Sequence, residues 1–288
     1  MNGDPTTALR LGYIGLGSMG APMAKRLVGW PGGLVVFDVR DEVMAAFAGT
    51  GTDAATGVAD VATADLISIA VLDDAQVREV VAEIALRAAP GTVIAIHSTI
   101  SDDTAVELAE LLAPNGIHVI DAPVSGGAGA AEKGELATMV GAPREVYERV
   151  KPVFKHWASL VIHAGEPGAG TRMKLARNML TFTAFAAASE AMTLAEAAGL
   201  DLQALGRVVR HTDALTSGPG AIMIRDTMAE LEPGHWLYDT FAHTRTLGEK
   251  DLNLALALGD SVDVELPLAQ IALRNLAAGL GVPHRTEG

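Results

Sequence analysis

The chain has 288 residues, long enough for two domains or one large one with a sizeable core. Its 49% hydrophobic and only 4% aromatic residues imply a core of Ala, Val, Leu and Ile, and its formal net charge of −14 argues against nucleic acid as a partner. The absence of cysteine excludes disulfides, thiolate metal sites and cysteine nucleophiles, and the eight histidines show no ligand spacing, so no metal is expected.

Neither a membrane span nor a secretion signal is expected. No stretch reaches the roughly 18 uninterrupted apolar residues that a membrane helix needs, and residues 1–7 lack the charged-then-apolar order of a signal peptide. We therefore expect a cytoplasmic protein with no membrane partner.

The first predicted strand, residues 9–14, runs directly into a Gly-x-Gly-x-x-Gly turn and then a helix over residues 21–28. In such a turn Gly15 allows the tight bend, Gly17 lets the backbone approach a pyrophosphate, and Gly20 lets helix and strand pack closely. The alternative is that these glycines only shape a turn. Strand, turn and helix in this order predict a dinucleotide site, with contacts from Gly15, Gly17, Ser18, Met19 and Gly20.

A second strand over residues 34–38 ends in Asp38, 18 positions after Gly20. A carboxylate in that place accepts hydrogen bonds from the adenosine ribose hydroxyls and repels a 2′-phosphate, which favours NAD over NADP. Arg40, two residues later, is suited to stack on adenine or to pair with a 2′-phosphate, so NADP stays open as the cofactor. The simpler interpretation of Asp38 is a loop cap.

Strands and helices continue to alternate through residue 163. Strands are predicted at 65–71, 91–96, 116–121, 135–140 and 160–163, and helices at 74–88, 104–112 and 143–154. This alternation predicts a doubly wound parallel sheet of the Rossmann type, an α/β fold, whose ligands bind at the carboxyl ends of the strands.

Three segments at those strand ends are candidates for the site. Val71 and Leu72 end one strand, residues 97–99 follow the next, and residues 121–127 follow the third. Thr99 is either the N-cap of the following helix or a contact of the nicotinamide ribose, and both roles are compatible. His97 has no motif partner in the sequence, and we interpret it as structural.

From about residue 167 only helices are predicted, at 171–198, 202–211, 221–228, 241–258 and 266–280. The predicted domains are therefore a dinucleotide-binding Rossmann domain over residues 1–166 and an all-helical domain over residues 167–288, for substrate binding and oligomerisation. The alanine-rich long helix suggests a homodimer or homotetramer, because small residues let helices approach closely across an interface.

Lys174 and Asn178 are four residues apart on that long helix, so they project from one face about one turn apart. Leu175 and Met179 lie on a neighbouring face suited to pack as core. A desolvated lysine facing a bound substrate has a lowered pKa that suits acid–base catalysis. The alternative is a solvated surface lysine, and the residue pattern alone leaves both open.

Four motifs occur in the order seen in the β-hydroxyacid dehydrogenases: residues 15–24, residues 121–127, Gly168-x-Gly-x-x-x-Lys174-x-x-x-Asn178, and residues 250–252. The chain resembles that family, which includes 3-hydroxyisobutyrate dehydrogenase, over nearly its whole length. The resemblance implies that Lys174 is the catalytic acid/base and that Asn178 contacts the substrate. It also implies that Lys250 lines the nicotinamide side of the cleft. The substrate carboxylate is expected to bind to Ser125, Gly126 and Gly127.

The resemblance implies reversible oxidation of a small β-hydroxy acid to its semialdehyde or keto acid, with NAD or NADP as the hydride acceptor. Asp73, His97 and Ser101 depart from residues that the family often has, which bears on the substrate more than on the reaction type. An imine reductase is the nearest alternative, although that relative usually lacks a lysine at this place. Phosphogluconate dehydrogenase has a longer chain and a basic phosphate pocket. A non-catalytic NAD-binding protein is the alternative outside enzymes.

Overall fold

The computed structural model describes residues 9–284, and residues 1–7, on which the signal-peptide expectation rests, lie outside that range. The chain divides after Met179 into two compact units. Across the described residues, none of the helices combines the length and apolarity that crossing a membrane requires.

The first unit is built around a nine-stranded sheet with helices between the strands. The strands are β1 (Leu11–Ile14), β2 (Leu34–Phe37), β3 (Asp53–Ala54), β4 (Leu66–Ile69), β5 (Val93–Ile96), β6 (His118–Asp121), β7 (Val124–Ser125), β8 (Leu136–Gly141) and β9 (Ala158–Gly165). The helices are α1 (Gly20–Lys25), α2 (Asp41–Met44), α3 (Val58–Val61), α4 (Asp74–Ala85), α5 (Asp102–Leu112), α6 (Ala128–Lys133) and α7 (Arg144–Phe154), followed by the start of α8 (Ala169–Ala197).

The strand order is β3-β2-β1-β4-β5-β6-β8-β7, with β9 also paired to β8. All pairs from β3 to β6 are parallel, as predicted, whereas β8 pairs antiparallel with β6 and β7. The sequence prediction missed β3 and β7, because a strand of two residues has too short a pattern to detect. The predicted Rossmann-type α/β fold is confirmed, with a mixed edge.

Every residue of β1, β4 and β5 is buried, which is the pattern of central parallel strands covered on both faces. The parallel register aligns Phe37, Ile14, Ile69, Ile96 and Asp121 in one row across the five strands β2, β1, β4, β5 and β6. The residues that follow this row therefore share one edge of the sheet. That edge carries every strand-end segment predicted to form the site.

The second unit is helical. It contains the rest of α8, then α9 (Leu202–Thr216), α10 (Tyr238–Ser261) and α11 (Pro267–Leu280), around a small core that includes Leu231, Phe241 and Leu280. The predicted helix over residues 221–228 is wrong. Ser217 ends α9 with a left-handed φ of 68°, and only a 3₁₀ helix, Gly218–Ile222, follows. The Arg225 guanidinium then binds the carbonyls of Gly279 and Ala229, which holds this segment in a non-helical path.

Candidate active site

In the glycine-rich turn after β1, the first and third glycines are closely packed and the second borders open space. A Cβ on Gly15, whose φ is +90°, would collide with the Ala70 carbonyl, and one on Gly20 would collide with the Gly15 carbonyl. A Cβ on Gly17 would meet nothing nearer than the Arg40 Nη2 atom at 3.9 Å. Open space at the middle glycine, beside exposed Ser18 and half-buried Met19, fits the close approach of a dinucleotide pyrophosphate.

The Asp38 carboxylate lies at the end of β2 and is 7% exposed. It accepts hydrogen bonds from the Leu16 N–H at 2.7 Å, the Arg40 N–H at 3.0 Å, and Nε and Nη2 of the Arg40 guanidinium at 2.9 and 3.0 Å. Burial alone would raise the pKa of Asp38, but the hydrogen bonds from Arg40 and Leu16 outweigh it and hold that pKa below its usual value. An ionised carboxylate thus stands beside the glycine turn, as a ribose contact requires.

The end of β4 is tied to the end of β5 through Ser98. The Ser98 Oγ donates to the Val71 carbonyl at 2.7 Å, and the Val71 N–H donates to the same Oγ at 3.0 Å. Leu72 and Thr99 are exposed at this edge. The N-cap interpretation of Thr99 is wrong, because α5 begins at Asp102 with Ser101 in the N-cap position.

Residues 124–127 form a segment with two unusual glycines. Gly126 has a φ of +137°, and a Cβ there would lie 2.9 Å from both the Ala130 Cβ and the Leu136 Cδ2. Gly127 has a φ of +78°, and a Cβ added to it would meet nothing within 4 Å, so it borders open space. The Ser125 Oγ is buried and has no hydrogen-bond partner among residues 9–284. A buried hydroxyl without a partner is uncommon in a folded protein, and an oxygen of a ligand bound at this segment would satisfy it.

Lys174 is buried at 8% exposure, and its Nζ donates to the Val124 carbonyl at 2.7 Å. This contact places the amine beside residues 124–127, at the edge of the sheet formed by the carboxyl ends of the strands. Burial lowers the pKa of Lys174, and the positive charge of Arg177 lowers it further. The surface-lysine alternative is therefore excluded by the burial of this side chain.

Asn178 is half-buried one turn after Lys174, and its Oδ1 accepts from the Arg177 Nη1 at 3.4 Å. Leu175 and Met179 are 44% and 69% exposed, so the prediction that they pack as core is wrong within a single chain. Lys250 lies on α10 of the helical unit, exposed, with its Nζ 3.1 Å from the Asp251 Oδ1. Its cofactor role stays a prediction.

His97 is buried in the first unit's core. Its Nδ1 is 2.8 Å from the Ala122 carbonyl, its Nε2 is 3.0 Å from the Ser68 Oγ, and its ring meets Phe154 and Trp157 edge-on. Burial lowers the pKa of His97 to about 4, so the ring is neutral at physiological pH. With both nitrogens occupied, His97 is structural, as interpreted from the sequence.

The sequence places Ser98 and Asp121 in the candidate strand-end segments but assigns neither residue a role of its own. Ser98 holds the β4 and β5 ends together, and Asp121 accepts backbone hydrogen bonds from the start of α8. Both act on backbone groups distant in sequence, for which a single chain carries no spacing signal.

Two family models match the chain in succession. The NAD binding domain of 6-phosphogluconate dehydrogenase matches residues 10–165, and the NAD-binding domain of NADP-dependent 3-hydroxyisobutyrate dehydrogenase matches residues 168–282. The chain thus carries NAD-binding domains over most of its length, with the first match spanning the glycine turn and the strand-end segments.

The chain is similar to proteins of known sequence and structure over almost all of its length. It is 66% identical over 287 residues to an uncharacterized oxidoreductase of Mycobacterium tuberculosis, covering 99% of this chain and 97% of that one. A crystal structure of an oxidoreductase from Mycobacterium avium 104 superposes with a TM-score of 0.93 at 74% identity, covering 96% and 100%. A 2-(hydroxymethyl)glutarate dehydrogenase of Eubacterium barkeri is 31% identical, covering 94% and 89%. The chain belongs to the β-hydroxyacid dehydrogenase family of oxidoreductases, as its motifs predict.

Proposed function

We propose that this protein reversibly oxidises the hydroxyl of a small β-hydroxy acid, of the 3-hydroxyisobutyrate type, to a semialdehyde or keto acid. The observation that carries this proposal is the burial of the Lys174 amine against the carbonyl of Val124, the residue before Ser125, whose hydroxyl is buried and unpartnered among the described residues. A buried amine whose pKa lies below the ordinary lysine value is suited to exchange a proton with a substrate hydroxyl. Membership of an NAD-binding dehydrogenase family supports the same reaction.

In this mechanism the neutral Lys174 amine accepts the hydroxyl proton at Nζ, while one of its N–H bonds stays on the Val124 carbonyl. The Ser125 hydroxyl and the N–H groups of Gly126 and Gly127 bind the substrate carboxylate, and Asn178 orients the hydroxyl. NAD, when bound, supplies the hydride acceptor. Fixing the carboxylate and the hydroxyl together contributes about 7–11 kcal/mol of barrier lowering in well-oriented reactions.

The substrate class follows from the chemistry that the relatives' names share. Both 3-hydroxyisobutyrate and 2-(hydroxymethyl)glutarate carry a primary hydroxyl on the carbon next to the carboxylate-bearing carbon, and they differ only in the other substituent. We infer a 2-substituted 3-hydroxypropanoate as the substrate of this chain.

A substrate panel tests the proposal. Purified protein is assayed with NAD and with NADP on 3-hydroxyisobutyrate, 2-(hydroxymethyl)glutarate, serine, tartronate, threonate and 4-hydroxybutyrate, and with NADPH on a cyclic imine. Turnover of at least one β-hydroxy acid, well above that of 4-hydroxybutyrate, is expected. Reduction of the imine alone would indicate an imine reductase. A thermal shift with NAD and no turnover on any compound would indicate a non-catalytic NAD-binding protein.

The choice between NAD and NADP depends on Arg40, whose guanidinium occupies both oxygens of Asp38. We expect Arg40→Ala to weaken NADP binding about tenfold or more, since a hydrogen bond to a charged group contributes about 1.5–3 kcal/mol. NAD affinity stays within threefold, because Asp38 remains free to accept from the ribose. Titration calorimetry with both cofactors measures this, with Arg10→Ala, which removes the Asp53 pair, as control. Equal shifts for NAD and NADP would contradict a phosphate-pairing role.

We propose that the protein is a homo-oligomer, a dimer or a tetramer. In the helical unit α9 has no buried residue, and on α8 Phe182 and Phe185 are 63% and 64% exposed. Large exposed apolar side chains on these helices suit an interface between protein chains, and a second copy of the chain offers the same side chains. Light scattering after size exclusion is expected to give two or four times the 29.8 kDa chain mass. A Phe182→Glu, Phe185→Glu double variant should shift the mass downward; a monomeric parent would overturn the proposal.

A further inference from the structure

The start of the long helix α8 is anchored by one buried carboxylate. Asp121, the last residue of β6, is fully buried. Its Oδ1 accepts from the Gly168 N–H at 2.7 Å, and its Oδ2 accepts from the Thr171 N–H at 2.5 Å. Helix starts leave backbone N–H groups unpaired and carry partial positive charge, so an acidic side chain there satisfies both.

A second contact joins the same two segments three residues further along each of them. The Val124 carbonyl accepts from the Lys174 Nζ at 2.7 Å, just as Asp121 accepts from Thr171. Each of the two contacts joins residues that are 50 apart in sequence, so the helix and the strand segment run past each other in step. On an α-helix three residues span about 4.5 Å, so the Asp121 anchor lies less than one turn from the Lys174 backbone.

The packing around the anchor allows little movement of the helix start. A Cβ on Gly141 would collide with the Asp121 Oδ1, and one on Gly170 would lie 2.9 Å from both the Asp121 carbonyl oxygen and the Gly141 nitrogen. Both glycines are therefore needed for the helix to approach the strand ends this closely. In such a site a change in the anchor shifts the helix rather than being absorbed by empty space.

We propose that Asp121 is a positioning residue for the reaction: by holding the first turn of α8, it fixes the rotation and axial position of the helix at which the Lys174 amine reaches the Val124 carbonyl. The inference rests on the proposed acid/base function of Lys174. Asp121 needs no contact with substrate or cofactor for this role. An amine displaced from the Val124 carbonyl would be both misaligned and better solvated.

The test is the Asp121→Asn variant. Asparagine has one side-chain oxygen that accepts a hydrogen bond, and its amide nitrogen is a donor, so one of the two backbone N–H groups that Asp121 binds loses its acceptor. We expect kcat/KM to fall about 10²-fold, the loss that a displacement of about 1 Å produces in an oriented site. NAD affinity stays within twofold. In the pH profile of kcat/KM, the inflection assigned to Lys174 moves up toward its ordinary pKa, because the amine is better solvated while Arg177 is unchanged.

The matched control is Glu190→Gln. Glu190 also accepts two backbone N–H bonds at a helix start, from Leu268 and Ala269 at 2.9 Å each, but it belongs to the helical unit. Its kcat/KM is expected to stay within twofold of the parent. Should Asp121→Asn not fold, Asp121→Glu, which keeps the charge on a longer side chain, gives the same two readouts.

Two results would overturn the inference. One is a kcat/KM of the Asp121 variant within threefold of the parent; the other is a loss of rate with an unmoved pH inflection, which indicates a purely structural role. Lys174→Met is measured in parallel. If that variant keeps its turnover, the proposed function fails; if it is inactive while Asp121→Asn is normal, only the positioning role fails.

Discussion

Lys174→Met is expected to lower kcat for hydroxy-acid oxidation about 10²–10⁴-fold, the usual contribution of a positioned proton acceptor. Methionine keeps the length and apolar body of the side chain, so the buried site is not emptied. What is lost is the amine that meets the Val124 carbonyl. NAD affinity is expected to stay within threefold of the parent, because the glycine turn and Asp38 follow β1 and β2, whereas Lys174 contacts β7. Steady-state kinetics and NAD titration measure the two effects separately.

The pH dependence follows from the direction of the Lys174 shift. Oxidation needs the neutral amine, so kcat/KM rises with pH and levels off below the ordinary lysine pKa of 10.5, because burial lowers the pKa of Lys174. Reduction needs the protonated amine and falls over the same range. Lys174→Arg keeps the charge but cannot release its proton, and it should be as inactive in oxidation as the methionine variant.

Lys155→Met is the control for a general effect of removing a lysine. Lys155 is exposed at the end of α7, and the variant should keep the parent kcat and pH profile. Near-normal turnover of Lys174→Met would contradict the acid/base role. So would a pH profile in which oxidation and reduction respond in the same direction.

The sheet could be predicted because the residue types of its central strands indicate that these strands are buried. Short runs such as β4 and β5, which are apolar except for Ser68, are typical of strands covered on both faces, and intervening helices indicate that the strands are parallel. The segment over residues 221–228 misled for the opposite reason. Its apolar residues suit a helix, but the backbone is held by Arg225, whose carbonyl partners include Gly279, 54 residues away. A long-range contact of this kind overrides local propensity.

The sequence proposes residues for the candidate site, but it does not predict their contacts. The four-residue spacing puts Lys174 and Asn178 on one helix face, while the choice between buried and solvated lysine stays open until the helix is seated on the sheet. The burial of Lys174 depends on long-range contacts: its amine binds the Val124 carbonyl, 50 residues earlier, and the Asp121 carboxylate binds the backbone at Gly168 and Thr171, 47 and 50 residues later. A backbone carbonyl is present at every residue, so no residue pattern identifies the one that accepts the bond.

Gly127→Ala is expected to lower kcat/KM for the hydroxy acid about 10²-fold while leaving NAD affinity within threefold. Gly127 has a φ of +78° and a ψ of 174°, a region nearly restricted to glycine, so alanine costs about 1–3 kcal/mol of folding free energy. Nothing in the described chain lies within 4 Å of the added methyl. Its effect on rate therefore comes from filling the space proposed for the substrate carboxylate and from a shift of the neighbouring N–H groups.

Gly33→Ala separates this effect on the site from the cost of backbone strain. Gly33 has a φ of +87° and equally open surroundings, but it precedes β2 at the opposite, amino end of the strands. Both variants should lose stability in urea unfolding, and only Gly127→Ala should lose catalytic efficiency, mainly through KM for the hydroxy acid. If the two variants showed the same kinetics, residues 125–127 would not form the carboxylate site. The segment would then serve to turn the chain from β7 into α6, and the substrate carboxylate would need another set of donors.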